Sequence, residues 1–442
     1  MRKSWLLLPA CLLAATLAPQ ARAQNAILFE GARLITGDGG APIENSAFLI
    51  ENDRFTRVGK KGEVRAPAGA ARVDLSGKTV MPALIDAHTH LGWAIIQTGA
   101  IGKDTYSRDN LIDHLRRLAY YGVAATFNMG TDPGDVAFQI RAEPVAGAAL
   151  LRTAGRGMGM PNAGPGAEYW KPVAYGLTNE ADGRKAVQEL AAKKVDIVKI
   201  WVDDRNGTVP KVPPAIYRAV IDEAHKHNLR AVAHIYYLAD AKDLLRSGID
   251  GFMHLVRDRD VDDEFIQLWK QHPNVFVTPN LPEKGNSEED FAFMSETVPA
   301  AEVKKAREAQ AARSADAQKR AREFFDLQAR NLAKLNTAGV KIAFGTDSST
   351  TVGWDTHQEL ADMVTAGMTP SQAIVAATKT SAEVMKLTQL GTVAAGKSAD
   401  FIVLDANPLD SIGNTRKISK VYIRGKELDR KAMSKAFVTP GQ

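Results

Sequence analysis

The chain has 442 residues and carries 56 Lys and Arg against 51 Asp and Glu, a formal charge of +5. That small excess excludes the strongly basic character of a nucleic-acid binder and points to no membrane-surface partner. With 45% hydrophobic and 24% charged residues the chain has the make-up of an ordinary globular protein, long enough for one large domain and a smaller one. Its single cysteine, Cys11, excludes an internal disulfide.

In chain order, the first feature is a basic pair, Arg2 and Lys3, followed by an apolar run from Trp5 to Leu17 and the small-residue pattern Ala21-Arg22-Ala23. This reads as a secretory signal peptide over residues 1–23, cleaved after Ala23, which places the product in the periplasm or outside the cell. Leu8-Pro9-Ala10-Cys11 faintly resembles a lipoprotein box, but apolar residues continue beyond it and Ala-x-Ala fits better. The run is shorter than the ~20 residues that span a bilayer, and no later segment approaches that length, so no membrane span is expected. Loss of Arg2, Lys3 and Arg22 would bring the formal charge from +5 to +2 and remove the only thiol.

Residues 26 to 80 alternate as short strands separated by turns, and residues 391 to 428 do the same through Phe401-Ile402-Val403-Leu404 and Val421-Tyr422-Ile423. Short β segments at opposite ends of a chain suggest one small β-sandwich domain built from both termini, here 24–80 plus 390–442. Between them, over 81–389, apolar runs of strand length alternate with amphipathic helical stretches. Eight such runs occur, at 79–86, 123–129, 147–152, 195–201, 230–235, 249–255, 274–278 and 340–346, with helical patterns at 107–121, 180–194, 213–227 and 239–247. An α/β fold of the (β/α)8 TIM barrel type requires this pattern and keeps its chemistry at the carboxyl ends of the strands, although a doubly wound open sheet would alternate in the same way.

Polar residues capable of holding a metal fall at those ends. His88 and His90, two apart at the end of the first strand, point to one side and can reach a single cation. His234 ends the fifth run, His254 the sixth and Asp347 the eighth. Core histidines satisfied by backbone carbonyls would not share one location in this way. Lys199 interrupts the apolar run Val195 to Trp201; a buried ammonium is costly, so it pairs with Asp203 or Asp204, loses its proton, or is carboxylated to an anionic carbamate.

With these residues in view, the chain resembles the amidohydrolase superfamily, nearest to the imidazolonepropionase-like and metal-dependent Xaa-Pro dipeptidase group. The matching stretches are Met81 to His90, Val198-Lys199-Ile200, His234, His254, Gly345-Thr346-Asp347-Ser348 and Gly391 to Asp400. The resemblance selects the barrel over the open sheet and implies two divalent metal ions, zinc first among them. His88, His90 and Asp347 would hold one and His234 and His254 the second, with a carboxylated Lys199 and a hydroxide bridging them. It implies hydrolysis of an amide in a small-molecule or peptide substrate such as a dipeptide, an N-acyl amino acid or an aryl amide. Asp347 would then serve as general base and acid. A lactone or cyclic imide would suit the same site, and a silent scaffold would require lost ligands, none of which is missing. Trp201-Val202-Asp203-Asp204 departs from the glycine-rich stretch that relatives often carry, which weakens transfer of their substrates.

Further candidates are Tyr236 and Tyr237, which follow His234 and could meet an oxyanion or simply pack, and Arg152, Arg156 and Arg257, which could take a substrate carboxylate. The glycine-rich loop 152–166 cannot open a nucleotide-binding helix because Pro161 and Pro165 interrupt it. The long insertion 283–339 reads as an extended outer helix or a contact in a homo-oligomer, with Phe291, Phe293 and Met294 as an alternative lid. His114, His225, His227 and His272 read as surface residues, and His357 as a surface residue or a support for the metal ligands.

Overall fold

The structure, a computed structural model, describes residues 26–439. The signal peptide read over 1–23 lies outside the described residues. The alternating segments near the amino terminus form a four-stranded sheet of Ile27–Glu30, Ser46–Glu51, Arg54–Lys60 and Ala71–Asp74. A five-stranded sheet combines Arg33–Leu34 and Thr79–Pro82 with Phe401–Leu404, Ile418–Ile423 and Lys426–Glu427, so both ends of the chain enter one sheet. Phe29, Phe48 and Phe55 from the first sheet meet Phe401 and Tyr422 from the second in one apolar cluster. Phe29 stacks on Phe48 with ring centres 5.0 Å apart, and Phe401 on Tyr422 at 4.4 Å. Removing rings of this size from water contributes about 2 kcal/mol each, which ties the termini together.

All eight expected strands of the middle region are present and pair in parallel. They lie in two sheets, one of Leu84–Thr89, Val123–Asn128 and Leu150–Thr153, the other containing Val198–Val202, Ala231–Ile235, Gly251–Met253, Phe276–Thr278 and Lys341–Ile342. Backbone bonds link them on both sides: Ala87 N–H to Phe344 O at 2.9 Å and Asp347 N–H to His88 O at 2.8 Å on one, Asp196 N–H to Thr153 O at 3.0 Å on the other. The first run, expected as one strand over 79–86, is two. Pro82 has no N–H to donate, and beyond it Leu84 changes partner and donates to Gly122 O. The loop 152–166 is also more regular than its glycines suggest: Met158–Gly159 adds to the edge of the larger sheet beside Val198–Val202 and Tyr175–Gly176.

Helices Arg108–Tyr120, Glu180–Ala192, Pro214–Lys226 and Leu238–Arg246 cover the expected stretches within two residues. Two start where side chains satisfy free N–H groups, Ser107 accepting from Asn110 N–H and Asn179 from Asp182 N–H. The insertion is three helices, Glu288–Met294, Ala300–Ala311 and Ala315–Thr337. Phe293 is not a lid residue: it is buried against Tyr121, ring centres 4.7 Å apart. Among the described residues, no helix is long and apolar enough to cross a membrane.

His225 and His227 are exposed, but His114 is fully buried, which corrects its assignment to the surface. Its Nδ1 accepts from Gly92 N–H and its Nε2 donates to Ala94 O. A second ring proton would therefore face a donor, and burial holds the imidazole down at about 4. The unfolded chain binds this proton near pH 6.5 and the folded one does not, so stability is complete above pH 6.5 and falls as pH drops toward 4. The loss from His114 is about 2 kcal/mol by pH 5. Thermal unfolding followed between pH 7 and 5 should show this decline, and His114→Gln should shallow it; an unchanged slope would contradict the assignment. His357 is likewise buried, with Nε2 to Tyr121 O and its ring 5.1 Å from that of Phe293, so it ties two helices together and supports no metal ligand.

Candidate metal centre

Three ligand atoms from distant parts of the chain converge. His88 Nε2 lies 3.3 Å and His90 Nε2 3.1 Å from Asp347 Oδ1, and the donor atoms all fall within 4.8 Å of one another. The strand Leu84–Thr89 and the position immediately after it deliver the two histidines, and the segment following Lys341–Ile342 delivers the carboxylate. Asp347 has φ 60° and His254 φ 99°, left-handed conformations uncommon in non-glycine residues and costly enough to mark a functional site. Gly345 makes the approach possible: a Cβ there would lie 2.8 Å from that of His88.

The surrounding bonds orient the rings for a cation. His88 Nδ1 is 3.0 Å from Asn280 Oδ1, an acceptor only, so the ring proton sits on Nδ1 and Nε2 keeps its lone pair toward Asp347. His90 Nδ1 is 3.1 Å from Thr131 Oγ1. Burial holds the His88 imidazole well below its ordinary range, keeping it neutral as a ligand must be. Burial would raise the Asp347 carboxyl, but His88, His90 and Lys199 outweigh it and hold the group well below the usual carboxylate range. These donors fit one divalent cation.

His234 and His254 adjoin this group, with ring centres 4.5 Å apart, and His254 Nε2 is 3.8 Å from Asp347 Oδ2. Asp203 accepts from His234 Nε2 at 3.0 Å, which leaves Nδ1 for a ligand role. The Arg257 guanidinium contacts His254 Nδ1 and can only donate. While it remains there the His254 proton is on Nε2, so a second cation requires Arg257 to turn aside.

Lys199 is fully buried and donates to His88 Nε2 at 3.2 Å, with Trp201 on one flank. It forms no ion pair with Asp203, which engages His234 and Arg205, or with Asp204, which accepts from Tyr237 Oη at 2.7 Å. Burial pushes its amine down to about 7.

Of the three arginines, only Arg257 reaches this centre. It lines a cavity of about 440 Å³ together with Asn280, Met294, Gln310, Asp347 and Trp354. Arg152, on the strand Leu150–Thr153, instead lies 3.6 Å from Asp196, and Arg156 donates to Val173 O at 2.6 Å with its guanidinium over the Tyr175 ring. Strand alternation turns Arg152 away from the face that Thr153 occupies, a point its place in the sequence obscured. Arg152→Ala should leave KM unaltered and lower stability by less than about 1 kcal/mol, as expected for a partly exposed ion pair; a raised KM would return it to the site. The Tyr237 hydroxyl is committed to Asp204, while Tyr236 is half-buried beside it. Sequence reasoning missed Thr131 and Asn280, and saw Asp203 only as a partner for Lys199. Asn280 carried one signal, its place two residues beyond the strand Phe276–Thr278 at the same rim.

A model of the amidohydrolase family matches residues 79–428. The 5-methylthioadenosine/S-adenosylhomocysteine deaminase of Halalkalibacterium halodurans is 22% identical over 426 residues, covering 84% of this chain and 83% of its own. Phenylurea hydrolase B superposes with a TM-score of 0.74 at 21% identity over 94% of this chain and 98% of that one. A Xaa-Pro dipeptidase superposes with a TM-score of 0.71 at 20% identity over 91% and 99%. These two likenesses show a shared fold.

Proposed function

Because the chain belongs to the amidohydrolase family, we propose that it is an exported, metal-dependent hydrolase cleaving the amide bond of a dipeptide, an N-acyl amino acid or a related aryl amide. The observation that carries this reading is the convergence of His88, His90 and Asp347 beside a cavity large enough for such a molecule. The amidohydrolase match identifies a hydrolase of carbon–nitrogen bonds, and a deaminase and a dipeptidase among the similar proteins support that bond class.

In this reading the bonds linking the two parallel sheets close them into a (β/α)8 barrel over 81–389. The described residues of the segments 24–80 and 390–442 make a separate β-sandwich, and the leader read over 1–23 directs the protein to the periplasm or beyond. His88, His90 and Asp347 would hold one cation, zinc by the nitrogen and oxygen character of the donors, and His234 and His254 a second, with a carboxylated Lys199 as a further ligand. A lysine pushed down to about 7 has a neutral amine available near neutral pH, which is the form that reacts with carbon dioxide. Bound cations would supply an acidified water and a polarised carbonyl. Asp347 takes the proton from the attacking water and passes it to the departing nitrogen, since its carboxylate opens into the cavity. Arg257, once turned from His254, offers its guanidinium to a substrate carboxylate.

The test is an assay of metal-analysed protein against dipeptides, N-acyl amino acids and lactones, before and after chelation. Amide hydrolysis that disappears with the metal and returns on its addition supports the reading. Hydrolysis confined to lactones, or undiminished in metal-free protein, overturns it.

A further inference from the structure

Residues 300–324, made of the helix Ala300–Ala311 and the first turns of Ala315–Thr337, form a helical hairpin with almost no core beneath it. Val303 is its one buried residue, whereas Phe325, Gln328, Asn331, Leu332 and Leu335 bury a face of the second helix from 325 onward. Helices in proteins are held chiefly by the apolar face they pack, so the two halves of that helix are anchored very unequally. Polar ties stand in for packing. Among the described residues, hydrogen bonds and ion pairs from the side chains of 300–324 to the rest of the protein end on Glu283, Asn286 and Glu288 alone. Gln310 clamps the Asn286 backbone, Oε1 accepting from its N–H at 2.6 Å and Nε2 donating to its O at 2.8 Å. Arg313 and Arg307 pair with Glu283 and Glu288, but these pairs are partly exposed and hold weakly.

The same hairpin is a wall of the substrate cavity. Ala306, Ala309, Gln310 and Arg313 line the cavity of about 440 Å³ that Asp347 and Trp354 also line. Arg307, Ala311, Gln318 and Ala321 border a second cavity of about 580 Å³, shared with Ser287 and Phe291. Asn286, Gln310 and Arg313 belong to both, so the clamp stands between them. A close-packed helix has no room to shift, while this hairpin adjoins open space in two places. Resting on the hydrolase reading above, we propose that residues 300–324 are a lid, which bends away to admit substrate and closes to shut water out of the metal centre. Buried Pro299 and Phe325 fix its two ends. The helix Ala315–Thr337 runs unbroken through the second end, so the movement is a bend of that helix rather than a swing about a loop. Ala306 and Ala309, being small, leave the substrate its space when the lid is closed.

The test is hydrogen exchange of the full, metal-loaded protein, alone and with N-methylphosphonyl-leucine, whose tetrahedral phosphorus presents anionic oxygens. In the free protein, backbone amides of 300–324 should exchange about 100-fold faster than those of 325–335. Gln310→Ala removes both bonds to Asn286 and should speed exchange over 300–313 about tenfold further. Saturating probe should slow exchange over 300–324 of the wild type by about tenfold or more and leave 325–335 as it was. Equal protection of the two halves, or indifference to Gln310→Ala, overturns the lid whether or not any amide is cleaved. Probe binding that leaves exchange over 300–324 unaltered does the same, and the hydrolase reading survives all three results. A protein that holds metal yet neither binds the probe nor cleaves any amide overturns both.

Discussion

Asp347→Asn should lower turnover by about two to four orders of magnitude while the protein keeps most of its metal. The carboxylate oxygen 3.1 Å from His90 and 3.3 Å from His88 is retained as an amide oxygen in Asn, so the geometry of a ligand survives. What Asn cannot do is accept a proton from water and return it to the leaving nitrogen. The backbone should tolerate the change, because Asn adopts φ near 60° at least as readily as Asp and the bond from residue 347 N–H to His88 O does not involve the side chain. Turnover and metal content measured on one preparation check this. Turnover within tenfold of wild type would remove Asp347 from proton transfer, and parallel loss of metal would reduce it to a ligand.

Lys199→Met should separate folding from chemistry more sharply. Methionine is an unbranched apolar side chain of similar reach, and the lysine it replaces is fully buried and without a carboxylate partner, so the folded protein without metal should be no less stable. If Lys199 carries the bridging carbamate, the variant loses that ligand, and retention of the second cation should weaken by at least about tenfold, with turnover falling alongside. Wild-type protein given 13C-bicarbonate should show a carbamate resonance that the variant lacks. A variant with full metal, full turnover and no missing resonance would return Lys199 to a neutral amine in an apolar setting.

The sequence by itself determined the order of elements, since apolar runs at the period of strands and helices report which faces will be buried whatever the partners are. It also determined which side chains could meet, because His88, His90, His234, His254 and Asp347 lie near or just past the carboxyl ends of their strands, which parallel strands bring together, although Lys199 is the second residue of Val198–Val202 and reaches His88 from within its strand. It did not determine direction. Arg152 sits on a strand among these residues, yet alternation turns it to Asp196 instead of the centre. Nor did it determine partners: only tertiary contact set Asn280 against His88, Asp203 against His234, Arg257 against His254 and His114 between two backbone groups. The break at Pro82, where one apolar run serves two sheets, was decided in the same way. The physical reason is common to all of these: periodicity encodes burial, which is local, whereas a hydrogen bond depends on positions and angles of atoms that only the packed chain brings together.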